Sequence, residues 1–121
     1  RDWGHARDYV EGMWMIVQHD KPDDFVLATG EAHSVRELCE KAFAAIDRRL
    51  VWKGKGADEV GLDAKSGAVL VAIDPQYFRP TEVNNLLGDA SKARKTLGWK
   101  HRTSFDALIA EMVESDLKLM P

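Results

Sequence analysis

The sequence predicts a mixed α/β fold, three to four helices packed on a small sheet of about three strands, and three observations carry that expectation. Apolar residues recur at three-and-four spacing in stretches bounded by capping and stop residues, which is the signature of amphipathic helices. Short apolar runs fenced by Gly and Asp lie between those stretches and read as strands. At 121 residues the chain matches one ordinary domain able to bury a real core.

The elements follow in order. From Ala6 to His19 the residues Tyr9, Val10, Met13, Trp14 and Val17 share one helical face, so a packed amphipathic helix is expected, stopped by Pro22. Phe25 to Thr29, between Asp23-Asp24 and Gly30, is expected to be a buried strand. Ser34 with Glu37 forms a capping-box pattern, and Val35, Leu38, Cys39, Ala42, Phe43 and Ile46 make the stripe of a second helix. Leu50 to Lys53 reads as a strand. Gly54, Gly56, Gly61 and Gly67, mixed with Lys and Asp, then read as a flexible hairpin connection to another strand at Ala68 to Ile73. Asp89 is expected to cap a short helix over Ser91 to Leu97, ended by Gly98. Thr103 with Asp106 opens the last helix, whose stripe is Phe105, Leu108, Ile109, Met112, Val113, Leu117 and Met120. No internal repeat or linker divides the chain, so a single domain over 1–121 is expected.

Composition narrows the function classes. With 45% apolar and 31% charged residues and a net charge of −3, the chain reads as soluble and globular, with no general attraction to nucleic acid. Any anion site must therefore be local. No apolar run approaches the roughly 20 residues of a membrane span, and Arg1-Asp2-Trp3-Gly4 resembles no leader, so no membrane partner and a cytoplasmic location are expected. The single Cys39 excludes an internal disulfide and reads as a structural thiol. His5, His19, His33 and His101 lack metal-ligand spacing and read as cap or surface residues; no metal is expected. Gly54-Lys55-Gly56 is no phosphate loop, because the Gly-Lys-Ser/Thr ending and strand-to-helix setting are missing. No serine lies in a nucleophile elbow, and no carboxylate can be assigned as a general base by position. No catalytic residue is assigned.

Arg79-Pro80-Thr81-Glu82-Val83 is the most pointed feature, a cation and a carboxylate three residues apart beside a rigid turn. A guanidinium matches phosphate oxygens two at a time, whereas a carboxylate accepts from ribose hydroxyls and repels phosphate. Such a pair suits a nucleotide diphosphate attached to a sugar, but taken alone these five residues fit a solvated turn with one surface ion pair better. Arg1-Asp2-Trp3-Gly4-His5-Ala6-Arg7-Asp8-Tyr9-Val10 adds cations, an aromatic and a glycine just before a helix N-terminus, where anions are favoured.

Four stretches, in register over nearly the whole chain, carry a family resemblance. They are Arg1 to Val10, Pro22 to Glu31, Tyr77 to Val83, and Leu87-Gly88-Asp89 with Lys92-Ala93 and Leu97 to Lys100. Together they resemble the GDP-mannose 4,6-dehydratase family of extended short-chain dehydrogenase/reductases, and within it the C-terminal third or so. A GDP-4-keto-6-deoxymannose reductase shares related signals but fits Arg1 to Ala6 less well. The resemblance implies an NADP-dependent lyase of nucleotide-sugar metabolism, acting on the way to GDP-fucose, with this portion binding GDP-mannose or GDP weakly. By the same resemblance Arg1 and Arg79 hold the diphosphate and Glu82 accepts from the ribose hydroxyls, while Trp3 and His5 are candidates to line the approach to the sugar. These 121 residues contain no Gly-x-x-Gly-x-x-Gly loop and no Tyr-x-x-x-Lys, since four residues after Tyr9 is Met13 and four after Tyr77 is Thr81. The Rossmann NADP-binding domain is therefore expected to be absent here, no cofactor is expected on this chain, and the isolated portion is expected to be inactive. The alternative is a stand-alone interaction module that keeps the fold without the chemistry, its apolar surface covered by a copy of itself or by a nucleotide-binding domain in trans.

Overall fold

The computed structural model describes residues 1–79, 81 and 86–120. Its elements in chain order are α1 (Ala6–Val17), α2 (Val35–Ala44), β1 (Leu50–Lys53), β2 (Val60–Asp63), β3 (Val69–Ala72), α3 (Ser91–Leu97) and α4 (Phe105–Leu119), with a single 3₁₀ turn at Gly56–Asp58. The α/β class stands, with four helices and a three-stranded sheet. The chain separates into two compact units, Arg1–Ser34 with Asn85–Pro121, and Val35–Asn84.

The first unit holds α1, α3 and α4; its core of Ala28, Ala90, Ala93 and Trp99 is packed by Tyr9, Met15, Phe25, Leu27 and Leu97, while Phe105 of α4 packs on Trp3 and His33. Trp99 is 2% exposed, and its indole N–H is satisfied by the Asp8 carbonyl at 2.8 Å, which ties the end of the α3 segment to α1. Small residues let these pieces close. A side chain at Gly12 would meet Leu27 Cδ1 at 2.6 Å and Trp99 Nε1 at 2.8 Å, so this glycine is required by the close approach of α1 to its neighbours.

Helix α1 departs from the expected packing. Its inward side is Asp8 and Gly12, whereas Val10, Met13, Trp14 and Val17 are 58–78% exposed. The periodicity correctly located an apolar stripe, but periodicity names a face and not what covers it. His5 caps this helix, its Nδ1 accepting from the Arg7 N–H at 3.0 Å. At α3 the Asp89 carboxylate accepts from the Ser91 N–H at 2.8 Å, and Gly98 closes the helix in the left-handed region at φ 71°, as its position after Leu97 predicts. Helix α4 is capped by Ser104, whose Oγ accepts from the Ala107 N–H at 3.2 Å, one residue later than the Thr103 opening expected.

The second unit is α2 against an antiparallel sheet in the order β1-β2-β3. Trp52 joins the two layers: its Nε1 donates to Glu40 Oε1 at 2.7 Å, the Arg36 guanidinium lies 5.3 Å from its ring, and Arg36 is in turn paired with Glu59. Residue pairs Trp52↔Gly61 and Gly61↔Val71 run across the sheet, with an irregularity between Gly61 and Leu62. No residue of α2 is fully buried, and Cys39 is half-buried, where burial and then the Glu40 carboxylate raise its thiol above the ordinary range. That thiol stays protonated near neutral pH and is structural in kind.

Two strand expectations are corrected. Phe25 to Thr29 forms no strand; the N–H groups of Thr29 and Gly30 donate to the Asp2 carboxylate, where a strand would need a neighbouring ladder. The central strand β2 lies inside the stretch expected to be a flexible connection. A glycine weakens a strand pattern on paper, but here a Cβ on Gly61 would sit 3.1 Å from Trp52 Cζ3 and 3.2 Å from Val71 Cβ, so the tryptophan covering it is the reason for the glycine. Among the described residues no helix is long and apolar enough to cross a membrane.

Candidate ligand-binding site

Two of the three expected site residues are described, one in each unit. Arg1 belongs to the first and Arg79, exposed, to the second; Glu82 lies outside the described residues.

The surroundings of Arg1 are built in detail. Its backbone nitrogen donates to the His33 carbonyl at 2.6 Å and its carbonyl accepts from the His33 N–H at 2.8 Å, a short two-stranded ladder. Beside it the Asp2 carboxylate accepts from the Thr29 N–H at 3.0 Å, the Thr29 hydroxyl at 2.6 Å and the Gly30 N–H at 2.9 Å. Burial raises the Asp2 pKa, but the bonds from Thr29, Gly30 and the Gly88 N–H outweigh it and hold the carboxyl below its ordinary value. Asp2 is therefore ionised at neutral pH.

Arg1, Asp2, Tyr9, Val26, Leu27, Ala28, Leu86, Leu87 and Gly88 surround a cavity of about 360 Å³ within the first unit. Its walls are mostly apolar and Arg1 is among its lining residues, a composition suited to an organic ligand carrying a localised anion. Tyr9 stays a protonated phenol in this wall, raised by burial and then by the Asp2 and Asp8 carboxylates. It offers a donor and an aromatic face, and it stacks on Trp99 at 6.0 Å.

Trp3 and His5 are engaged elsewhere. The Trp3 ring lies nearly parallel to Phe105 at 5.7 Å, and His33 stacks on the same phenyl ring at 3.9 Å. His5 caps α1 through Nδ1 and meets Glu111 Oε1 through Nε2 at 3.3 Å. Their packing roles account for both residues.

Sequence reasoning did not find Asp2, Thr29, Gly30 and Gly88, whose partnership is long-range. The available signal was a Thr-Gly pair directly after an apolar run, which places adjacent N–H groups at a turn. A larger hollow of about 530 Å³ in the second unit, lined by Glu40, Ala44, Asp47, Arg48, Arg49, Leu50 and Lys65, contains none of the expected residues. Two of its cations are paired, Arg48 with Asp63 at 3.4 Å and Lys65 with Asp47 at 3.5 Å.

Residues 1–112 match the family model described as GDP-mannose 4,6 dehydratase. The chain is 57% identical over 120 residues to the GDP-mannose 4,6 dehydratase of Drosophila melanogaster, an alignment covering 99% of this chain and 30% of that protein. It is 55% identical to the human protein of the same name, again over 99% of this chain and 32% of the relative. The GDP-mannose 4,6-dehydratase of Sinorhizobium fredii (strain HH103) is 56% identical over 99% of this chain and 34% of its own length. The chain thus spans about a third of the length of the curated relatives it matches. With a family model covering residues 1–112 and this level of identity, the chain belongs to the GDP-mannose 4,6-dehydratase family.

Proposed function

We propose that this chain is the GDP-sugar-binding portion of a GDP-mannose 4,6-dehydratase, an enzyme converting GDP-mannose to GDP-4-keto-6-deoxymannose in nucleotide-sugar metabolism. Arg1 and Arg79 supply guanidiniums to the diphosphate and Glu82 accepts from the ribose hydroxyls. The single observation that carries this reading is the anchoring of Arg1 in the wall of the 360 Å³ cavity, its backbone paired with His33 and its neighbour Asp2 bonded to Thr29 and Gly30. A cation held by its backbone loses less freedom on binding an anion than one on a loose strand of chain. Family membership over residues 1–112 supports the ligand class.

Turnover is not assigned to these 121 residues by themselves. In the short-chain dehydrogenase/reductase pattern a glycine-rich loop would hold the pyrophosphate of NADP, which would supply hydride chemistry when bound. The residues present do not fit that pyrophosphate: Gly4, the glycine before α1, is covered by Tyr9, whose Oη would lie 2.7 Å from an added Cβ. On this reading NADP is not held by these 121 residues. A cytoplasmic location belongs to the same reading, supported by the substrate class.

Titration calorimetry with GDP tests the proposal. Weak, salt-sensitive binding is expected, with Arg79→Ala weakening it by about 10- to 100-fold, the loss of one charge-assisted contact of roughly 1.5–3 kcal/mol. Equal affinities for the two proteins would remove Arg79 from the site.

A second reading is favoured by the exposed Val10, Met13, Trp14 and Val17 stripe. An apolar patch of this kind on a soluble unit is commonly covered by another surface, as in an interaction module that keeps the fold without chemistry. A stable dimer without GDP affinity in sedimentation and calorimetry would favour this reading over the first.

A further inference from the structure

We propose that Asp2 is the positioning residue for the Arg1 guanidinium in diphosphate binding, an inference that rests on the assignment of Arg1 to the GDP site. Asp2 draws three separated segments together beside Arg1. Its Oδ1 takes the Thr29 N–H at 3.0 Å and the Thr29 hydroxyl at 2.6 Å, its Oδ2 takes the Gly30 N–H at 2.9 Å, and Gly88 lies close by, a Cβ built there standing 3.6 Å from Asp2 Oδ2. Thr29 is 8% exposed, and both carboxylate oxygens of Asp2 are engaged by donors.

Gly88 can reach Asp2 because it has no side chain: a Cβ there would sit 2.2 Å from Ala28 Cβ. Ala28 and Gly88 both line the same cavity as Arg1. The carboxylate therefore fixes the Arg1 backbone from one side while His33 fixes it from the other at 2.6 and 2.8 Å. Only a group accepting at both oxygens meets this set of donors. An amide at this position would turn its NH₂ toward one of the N–H or O–H donors.

The test compares wild type, Asp2→Asn, Arg1→Ala and the double variant in calorimetry with GDP and with guanosine. Asp2→Asn is expected to weaken GDP about 10-fold while leaving guanosine affinity within about 2-fold, and to add no further loss in the Arg1→Ala background. Equal losses for GDP and guanosine, or losses that add, would mean a purely structural role and overturn the inference. Thr29→Val, which removes one hydroxyl donor and keeps the backbone donors, is expected to show a smaller loss of the same selectivity. It serves if Asp2→Asn does not fold, and a Thr29→Val protein with unchanged GDP affinity would count against the proposal. Absence of GDP binding by wild type would defeat the ligand assignment, and hydrogen exchange then reads the positioning separately. The His33 amide, bonded to the Arg1 carbonyl, is expected to exchange about tenfold faster in Asp2→Asn; unchanged protection there overturns Asp2's hold on Arg1.

Discussion

Asp8→Ala is expected to destabilise the first unit by about 2–5 kcal/mol, read from the midpoint of urea unfolding. The Asp8 side chain lies in α1 and is 4% exposed, yet its Oδ2 accepts from the Arg102 N–H at 3.0 Å and the Thr103 N–H at 2.9 Å. Those donors belong to the turn that leads into α4, so one carboxylate joins two helices distant in sequence. Truncation leaves two backbone donors with no protein acceptor, at about 1–3 kcal/mol each. Against a total stability of about 5–15 kcal/mol for a domain, that loss is large.

The same group sets a pH dependence with a definite sign. Burial raises the Asp8 pKa, but the Thr103 and Arg102 N–H groups, the Thr103 side chain and His5 together hold it below the ordinary value of 3.8. A depressed folded pKa gives stability that is fully present above the unfolded value and lost as pH falls through the folded one. Asp2 contributes in the same direction, through Thr29, Gly30 and Gly88 acting against burial. Wild type should therefore weaken below about pH 4, and the gap between wild type and Asp8→Ala should narrow there. A gap that widens on acidification would contradict the bonding described.

Gly88→Ala is the second large effect, about 3 kcal/mol or more in the same assay. The new methyl would stand 2.2 Å from Ala28 Cβ, and neither atom is the free end of a flexible side chain. Relief requires the backbone around Gly88 to back away from Ala28, a core residue 5% exposed, and that motion also draws Gly88 away from the Asp2 carboxylate beside it. Overpacking of this kind costs about 1–3 kcal/mol before the displacement of the neighbouring Asp2 cluster is counted. The backbone angle at Gly88 is not the cause, since it is outside the left-handed set of Gly30, Gly54, Gly56, Gly67 and Gly98. Combining it with Ala28→Gly should restore part of the loss, because the two substitutions share one space. Additive losses would place the clash elsewhere.

Much of the fold was legible because its signals are local. Capping residues and spacing located all four helices, with starts displaced by a residue at most where Ser104 caps α4 in place of Thr103. What escaped depends on distant partners. Gly61 looks like a connector until Trp52 is seen lying over it, and Phe25 to Thr29 looks like a strand until Asp2 is seen taking its N–H groups. The stripe of α1 was found, but its exposure depends on what lies beside it, which spacing along a helix does not encode. At the candidate site Arg1 and Arg79 stand out by type, whereas Asp2 does not. A carboxylate next to an arginine reads as an ion pair on paper, and only the folded chain brings Thr29, Gly30 and Gly88 to it.

The most direct measurement of the central claim is the change in backbone amide NMR shifts of the 121-residue chain on titration with GDP. Saturable shifts concentrated at Arg1 to Trp3, Thr29 to Gly30 and Tyr77 to Val83 are the predicted result. Shifts confined to the Asp47 to Lys65 region around the larger hollow, or none at millimolar GDP, would contradict it.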